Sequence, residues 1–568
     1  MNNYTLYHLH SDLSNGVTNV DSVTKFGLYV DRAKECGMKA LAFSEHGSVF
    51  EWWHKKQAIE KAGMKYIHAI ECYLTHDLTE KIRDNYHCVL IAKNYDGFLE
   101  LNKLVSRSFN RKDNHFYYVP RISFEELFST SENIIITTAC IGGVFGKADD
   151  VVATEFLEFL RENRERCFLE IGHHLDEKQV QYNAKMYDFS TLYGLRLIAG
   201  TDTHVLDEEH EKGRKILQQS KNIFFEGEDN WDLKFKTYEE LVRSFELQHA
   251  LPEHVYLEAI ENTNVMADMI EPFEIDRGTK YPKIYTDPEK VFREKIAKAV
   301  ETHPYAVMRH GRETIDKVVA DELAVYEKTG SVDFMLLQSY LREWELSQGI
   351  QCGYGRGSVS GSMIAYLLGI TKMDSLRFGL NFFRFMNPDR VTNADIDTDY
   401  AGADRDKVKQ FLLRDKLNLP TIKSAEIITF NTIALRGAIR DVCRALYAPA
   451  KGSPEEFAAD SKRYLSIANQ ICSRLEKDDD NKEFASAELR REYQEVFRYV
   501  DIVSGTIVSV GTHPSGVLIS DLPIEETIGL CSISSSEYPV SMINMKELDD
   551  LMYVKLNFIG WHTGNSVQ

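Results

Sequence analysis

Short apolar runs of β type alternate with helical stretches through the first 210 residues. The runs are ALAFSEHG (40–47), YIHAIEC (66–72), HCVLIAK (87–93), NIIITTACIGG (133–143), FLEIGHH (168–174) and LIAGTDTH (197–204). This alternation predicts an α/β domain. A helical region follows. Asp287-Pro288 reads as an N-cap with proline in the first helical position, and Phe292, Ile296, Ala299 and Val300 keep helical spacing behind it. Residues 314–328 and 334–347 also read as helices. Gly452-Ser453-Pro454 marks a break, 455–498 is helical again, and 505–520 returns to β patterning. There is no repeat and no long low-complexity linker.

Most of the early apolar runs carry a metal-ligand residue near one end. His8 and His10 flank Leu9 and share a strand face. Glu45 and His46, Glu71, His87, Cys140, Glu170 with His173 and His174, and Asp202 with His204 mark the others. A ring of ligand types at strand ends is what a parallel α/β barrel presents at its active face. A single histidine is more often an ordinary core or surface residue, but so many marked strand ends exceed coincidence. The mixture of imidazole and carboxylate suits Zn²⁺ or Mn²⁺ better than Mg²⁺ alone.

A different chemistry follows in the second half. In Ala394-Asp395-Ile396-Asp397-Thr398-Asp399-Tyr400 the aspartates alternate, so an extended strand would point three carboxylates to one face. Like charges so placed repel unless divalent cations sit between them. The plain alternative is a solvated strand face. About forty residues upstream lies GYGRGSVSGS (353–362), followed by the apolar run Met363 to Leu368. Gly355 and Gly357 would let the backbone approach an anion, and amides at a helix start favour phosphate. Arg356 offers a planar fork for phosphate oxygens, and Ser358 and Ser362 offer hydroxyl donors. No Gly-Lys-Ser/Thr follows, so this is not a Walker loop. Together the loop and the aspartates read as a triphosphate site beside a Mg²⁺ site.

Composition narrows the setting. A chain of 568 residues should hold three or more domains. Nine scattered cysteines without a C-x-x-C pair, no signal peptide and no apolar run of membrane-spanning length suggest a reducing, cytoplasmic setting. A formal charge of −20 argues against a generic polyanion-binding surface. Local basic stretches such as Arg405, Lys407, Lys409, Arg414 and Lys416 keep DNA open as a partner.

The words GYGRGSVSGSMIAYLLGIT (353–371), FFRFMNPDRV (382–391), ADIDTDY (394–400) and EIITFNTIALRGAIRDVCRAL (426–446) occur in the order found in the palm of the C-family bacterial replicative polymerases, the polymerase III alpha type. The region resembles that palm. The resemblance implies that Asp395 and Asp397 are two of three catalytic metal-binding aspartates. It makes Gly355, Arg356, Gly357 and Ser358 the phosphate cradle, and Arg384 and Arg390 contacts to the incoming nucleotide. Phe383 and Ala394 depart from the family's usual Glu and Pro. The first part is similar to the PHP module that precedes the palm in these polymerases, with His8, His10, His46, Glu71, His87, Cys140, Asp202 and His204 as implied metal ligands. In its motif HLHSDLSNG (8–16), Asn15 stands where an Asp is usual, which puts a third metal in question; Asp12 or Asp21 could substitute.

The fold so implied is α/β and α+β multidomain. It has a distorted βα barrel of PHP type at 1–270, a nucleotidyltransferase-like palm at 271–445, an inserted helical thumb at 446–504 and the returning palm at 505–568. The family's third aspartate falls in VKLNFIGW (554–561), where this chain has Asn557, with Lys555 near the nucleotide. The sequence then loses the family pattern and stops before the fingers, clamp-binding region and OB domain. A fragment, one half of a split polymerase and an interrupted product all fit. Two functions follow. One is template-directed DNA synthesis by a two-metal mechanism with Mg²⁺ in the palm, using primer-template DNA and deoxynucleoside triphosphates, with a PHP 3′–5′ exonuclease holding Zn²⁺ or Mn²⁺. It calls on a second chain for fingers and clamp binding. The alternative is a metal-dependent phosphoesterase whose palm is only a DNA-binding or structural platform.

Overall fold

The computed structural model describes residues 2–224, 230–389, 395–448 and 454–561. Strands are numbered along the chain. The first eight are β1 Ala40–Phe43, β2 Lys65–Thr75, β3 Tyr86–Ala92, β4 Phe116–Tyr117, β5 Val119–Ser123, β6 Ile134–Thr137, β7 Cys167–Gly172 and β8 Arg196–Gly200. The others are β9 Asp397–Ala401, β10 Lys423–Thr432, β11 Glu476–Lys477, β12 Glu483–Phe484, β13 Ile507–Ser520, β14 Leu530–Cys531, β15 Val540–Asn544 and β16 Val554–Trp561. The chain divides into two compact units, residues 1–274 with 429–511, and 275–428 with 512–568.

In the first unit β1 lies beside β2, and the sheet continues through β3, β6, β7 to β8, with β5 and β4 beyond the other end of β2. The residues of β1 and β6 are buried throughout, as befits strands covered on both faces. The N-terminal segment closes the ring. Leu6 bridges Leu41, and Leu9 bridges Thr203 just past β8; Ala42 N donates to Leu6 O at 3.0 Å and His10 N to Thr203 O at 2.8 Å. His8 and His10 thus sit on a stave between the two ends of the sheet. The barrel is not wholly parallel: β3 runs antiparallel to both β2 and β6. The link from β2 to β3 contains no helix, and strands joined without a crossover pair antiparallel.

Helices cover this barrel for local reasons that the sequence contains. Asn94 accepts from Gly97 N at 3.0 Å and so caps Tyr95–Ser108, whose Phe98, Leu101 and Val105 are buried. The helices Leu435–Tyr447, Pro454–Ser473, Ala487–Glu492 and Gln494–Val503 also belong to the first unit. Ile439, Val442, Val496 and Val500 share a core there with Leu217 of helix Glu208–Ser220.

In the second unit Asp287 caps helix Pro288–Thr302 by accepting from Lys290 N at 3.2 Å, with Pro288 in the first turn. Phe292, Ile296 and Val300 are buried with Tyr326 and Leu336 of helices Arg312–Lys328 and Val332–Ser347. These helices match the predicted ones to within two residues. The sheet order is β14-β15-β10-β13-β16-β9. Ile396, Tyr400, Leu556 and Phe558 turn into the same core. Strand period then leaves Asp395, Asp397, Asp399, Lys555 and Asn557 on the opposite face. Among the described residues no helix is long and apolar enough to cross a membrane.

Candidate functional sites

The barrel gathers its ligand residues into three overlapping groups. They are His10, Asp21, His46 and His204; His8, His10, Glu71 and Asp202; and His46, Glu71 and His87. Ligand atoms within each group lie within 4.8 Å of one another. His8 Nε2 is 3.2 Å from both Glu71 Oε1 and Asp202 Oδ1. His10 Nε2 is 3.2 Å from Glu71 Oε2, and His204 Nε2 is 3.2 Å from Asp21 Oδ2.

Most of these atoms are close but not paired. His8 Nε2, His10 Nε2, His46 Nδ1, Asp21 Oδ2, Glu71 Oε2 and Asp202 Oδ1 are buried without hydrogen-bond partners. Native proteins rarely leave such atoms unsatisfied. Their convergence on shared points is the arrangement that bound cations would satisfy, so this donor set fits divalent metal ions.

Outer contacts orient the ring. Glu170 accepts from His8 Nδ1 at 2.8 Å and from Tyr7 Oη at 2.7 Å, leaving His8 Nε2 to face the centre. His204 Nδ1 meets the backbone carbonyl of Asp202 at 2.8 Å, which frees its Nε2 in the same way. Cys140 lies at the margin, with Sγ 3.7 Å from His87 Nδ1. Burial, with the carboxylates of Asp202 and Glu71, holds its thiol well above the usual range. Burial opposes charge on Glu71 too, but His87, His8 and His46 outweigh it and keep the carboxyl well below the usual range. His173 and His174 lie outside these groups, and burial pushes both below the ordinary histidine value.

Asn15 is not a ring member. It is buried, and its Nδ2 donates to Ser22 O and Ile507 O, both at 2.7 Å, while its Oδ1 accepts from Asp21 N at 2.7 Å and Ser22 N at 3.0 Å. An aspartate could not make the two donations. Of the two substitutes open on sequence, Asp21 enters the ring, whereas Asp12 Oδ2 accepts from Ile507 N at 3.2 Å.

In the second unit the aspartate strand and the glycine-rich loop share one face. β9 and β16 pair in parallel with Asp397 opposite Asn557. Arg356 bridges Asp397 through the backbone, and its side chain forks onto Asp399, with Nη2 3.0 Å and Nε 3.1 Å from Oδ1. Gly353 N donates to Asp399 O at 2.8 Å. Gly355, Arg356, Gly357 and Ser358 are all exposed. At Gly355, with φ +130°, a Cβ would collide with Thr371 Oγ1, so the turn requires glycine.

Asn557 Nδ2 donates to Asp395 Oδ1 at 3.1 Å, and its Oδ1 is buried without a partner. Partial desolvation of the carboxyl and the neighbouring Asp397 push Asp395 above its ordinary value, although the residue as a whole is exposed. Lys555 Nζ lies 2.9 Å from Asp549 Oδ2. Arg384 is exposed, on a turn (Phe382–Arg384) that follows Asn381; Asn381 O lies where a Cβ at Gly361 would collide. Arg390 and Ala394 lie outside the described residues.

One element of the phosphate reading changes. The amides at the start of helix Met363–Leu367 are already taken. Glu322 accepts from Met363 N at 2.7 Å and Ile364 N at 2.9 Å, and Ser362 Oγ accepts from Ala365 N at 3.0 Å. An anion meeting this loop would have to bind at 355–358 rather than at the helix start.

Two family models match the chain. The PHP domain model covers residues 7–174, and the model described as the bacterial DNA polymerase III alpha NTPase domain covers 290–560. A metal-ring barrel is therefore joined to a polymerase-type domain. Among curated proteins, a DNA polymerase III subunit alpha from Aquifex aeolicus is 28% identical across 98% of this chain and 51% of its own length. One from Borreliella burgdorferi is 28% identical across 98% and 48%, and one from Helicobacter pylori 26% across 99% and 49%. The chain is similar to the bacterial DNA polymerase III alpha family over most of its length. It spans about half the length of the curated relatives it matches.

Proposed function

We propose that this chain is the PHP and palm portion of a DNA-directed DNA polymerase of the replicative alpha type, extending a primer with deoxynucleotides. The observation that carries this reading is the register that sets Asp397 beside Asn557 and Arg356 on one open face. Asp395 and Asp397 would hold Mg²⁺, with Asn557 Oδ1 as a neutral third donor. Bound there, Mg²⁺ supplies positive charge against the charge that develops as the 3′-hydroxyl attacks the alpha phosphate. Arg356, Ser358 and the amides of Gly355 and Gly357 take the phosphate oxygens, with Lys555, Arg384 and Arg390 completing the nucleotide contacts. To do so, Arg356 exchanges or shares its contact with Asp399.

The N-terminal ring serves a second reaction, metal-dependent 3′–5′ exonuclease hydrolysis. His8, His10, His46, Glu71, His87, Asp202 and His204, with Asp21 and with Cys140 at the margin, would hold Zn²⁺ or Mn²⁺. The partners of this reading are primer-template DNA and deoxynucleoside triphosphates. Nine cysteines, all free thiols, suit a reducing cytoplasm.

A second reading rests on Asn557. An amide in register with Asp397, donating to Asp395, brings no charge to the metal site. That favours a phosphoesterase in the ring with the palm as a DNA platform. The deciding experiment is single-nucleotide extension of a primed template, with the remaining half of a relative supplied as a separate polypeptide. The polymerase reading expects extension that Asp397→Ala abolishes. Loss of 3′ nucleotides without any extension would overturn it in favour of the second.

A further inference from the structure

Glu322 is a carboxylate that neither proposed reaction uses. It lies on helix Arg312–Lys328 with 3% of its surface exposed. It accepts from Ser362 Oγ at 2.7 Å, Met363 N at 2.7 Å and Ile364 N at 2.9 Å. Ser362 Oγ also meets Tyr326 Oη at 2.8 Å. A buried carboxylate with only neutral donors is costly for a fold, and a glutamine or an apolar residue would avoid that cost. Burial pushes its carboxyl up to about 7 against the pull of those donors.

Its position relative to the glycine-rich loop gives the charge a use. The loop is anchored at its start by Gly353 N on Asp399 O and the backbone bridge from Arg356 to Asp397. At its end Glu322 contacts three consecutive residues, Ser362 to Ile364. Around and beyond the first anchor Gly355, Arg356, Gly357 and Ser358 stand exposed. An anion at the first amides of a helix is favoured by their unsatisfied N–H groups; here the protein's own carboxylate fills that place.

We propose that Glu322 is a positioning residue that acts as an internal anion, fixing the exit of the glycine-rich loop so that an external triphosphate binds at 355–358 beside the aspartate strand. The triphosphate part rests on the polymerase reading above; the loop-fixing part does not. The ionised form accepts the three hydrogen bonds most strongly, so protonation loosens the loop. The groups facing the carboxylate are the hydroxyls of Ser362 and Tyr326 and the two amides. Tyr326, walled by Phe292, Phe382 and Phe385, stays protonated because burial raises it far above its ordinary value.

The test compares the full chain with Glu322→Gln and Glu322→Asp. Hydrogen-exchange protection factors for residues 353–365 and tripolyphosphate affinity are measured in each between pH 6 and pH 8, roughly one unit either side of the value burial sets. In the native chain protection should fall as pH drops through 7. Glu322→Gln should show protection about tenfold lower at pH 8 and independent of pH, since a charged acceptor is lost. Glu322→Asp, a carboxylate one methylene short, should keep the pH dependence with reduced protection. Tripolyphosphate affinity should fall about tenfold in Glu322→Gln. Equal protection and equal pH response in the native and Gln forms would overturn the proposal. A native chain that shows the protection pattern but no tripolyphosphate affinity would refute the triphosphate part together with the nucleotide site, and leave loop fixing standing.

Discussion

Asn557 Nδ2 donates a 3.1 Å hydrogen bond to Asp395 Oδ1, an amide-to-carboxylate contact where a metal centre would ordinarily set two carboxylates. The contact stabilises the metal-free cleft and weakens it for cations. Asn557→Asp should therefore cost about 1 kcal/mol of stability without metal, at the screened end of the range because Asp395 is exposed. Added Mg²⁺ should reverse the sign. Thermal unfolding with and without Mg²⁺ measures both. Equal Mg²⁺-induced shifts in the Asn and Asp forms would remove Asn557 from the metal site.

The ring should retain Zn²⁺ or Mn²⁺ through purification, and replacing both His10 and His204 with Ala should remove most of it. Asp21→Ala should lose only part, because Asp21 belongs to one of the overlapping groups while His10 belongs to two. Elemental analysis reads these changes directly. A native chain that purifies free of metal and takes none up on addition would exclude the ring as a metal centre.

Arg356 is expected to hold triphosphate through its planar fork. Arg356→Lys should lose about tenfold in tripolyphosphate affinity, and Arg356→Ala more, since lysine cannot bind two oxygens in one plane. Both losses should shrink at high salt. Isothermal titration at two salt concentrations is the check. Full affinity in Arg356→Ala would place the phosphate site elsewhere.

His68 sets an acid limit for the first unit. Burial pushes it down to about 3, with Lys55 adding to the shift against the Asn102 hydrogen bond. As a neutral ring it meets Tyr66 Oη at 2.8 Å and Asn102 Oδ1 at 2.9 Å. Its folded value lies below its unfolded one, so its contribution is complete above pH 6.5 and is lost as pH falls towards 3. The loss amounts to about 4 kcal/mol over that range. His68→Gln should unfold less steeply with acid than the native chain, as followed by circular dichroism. Identical acid profiles would show that His68 does not titrate on unfolding.

Much of the palm face was legible because strand period alone fixes direction: Ile396 and Tyr400 are buried, and the aspartates between them face away. Several ring residues, such as His46, Glu71 and His204, are marked in the sequence by their place at one end of an apolar run, whereas Asp21 lies on none of those runs. The reversed direction of β3 was not, because an apolar run carries no sign of which way it points. Motif spacing shows only that Asn15 stands where an Asp is usual; its partners Ser22 and Ile507 show a hydrogen-bonding role that spacing does not encode. The role of Glu322 is not legible in the sequence because a glutamate in a helix ordinarily faces water. Its partners at 362–364 lie a helix and a loop away in sequence.

The most direct test of the palm as a nucleotide-binding centre is the anomalous diffraction of Mn²⁺ in crystals of the chain grown with a non-hydrolysable deoxynucleoside triphosphate. The account predicts a Mn²⁺ peak between Asp395 and Asp397, with triphosphate density on Arg356 and Ser358, in addition to peaks in the N-terminal ring. Mn²⁺ in the ring alone, with no metal or nucleotide at the aspartate strand, would contradict it.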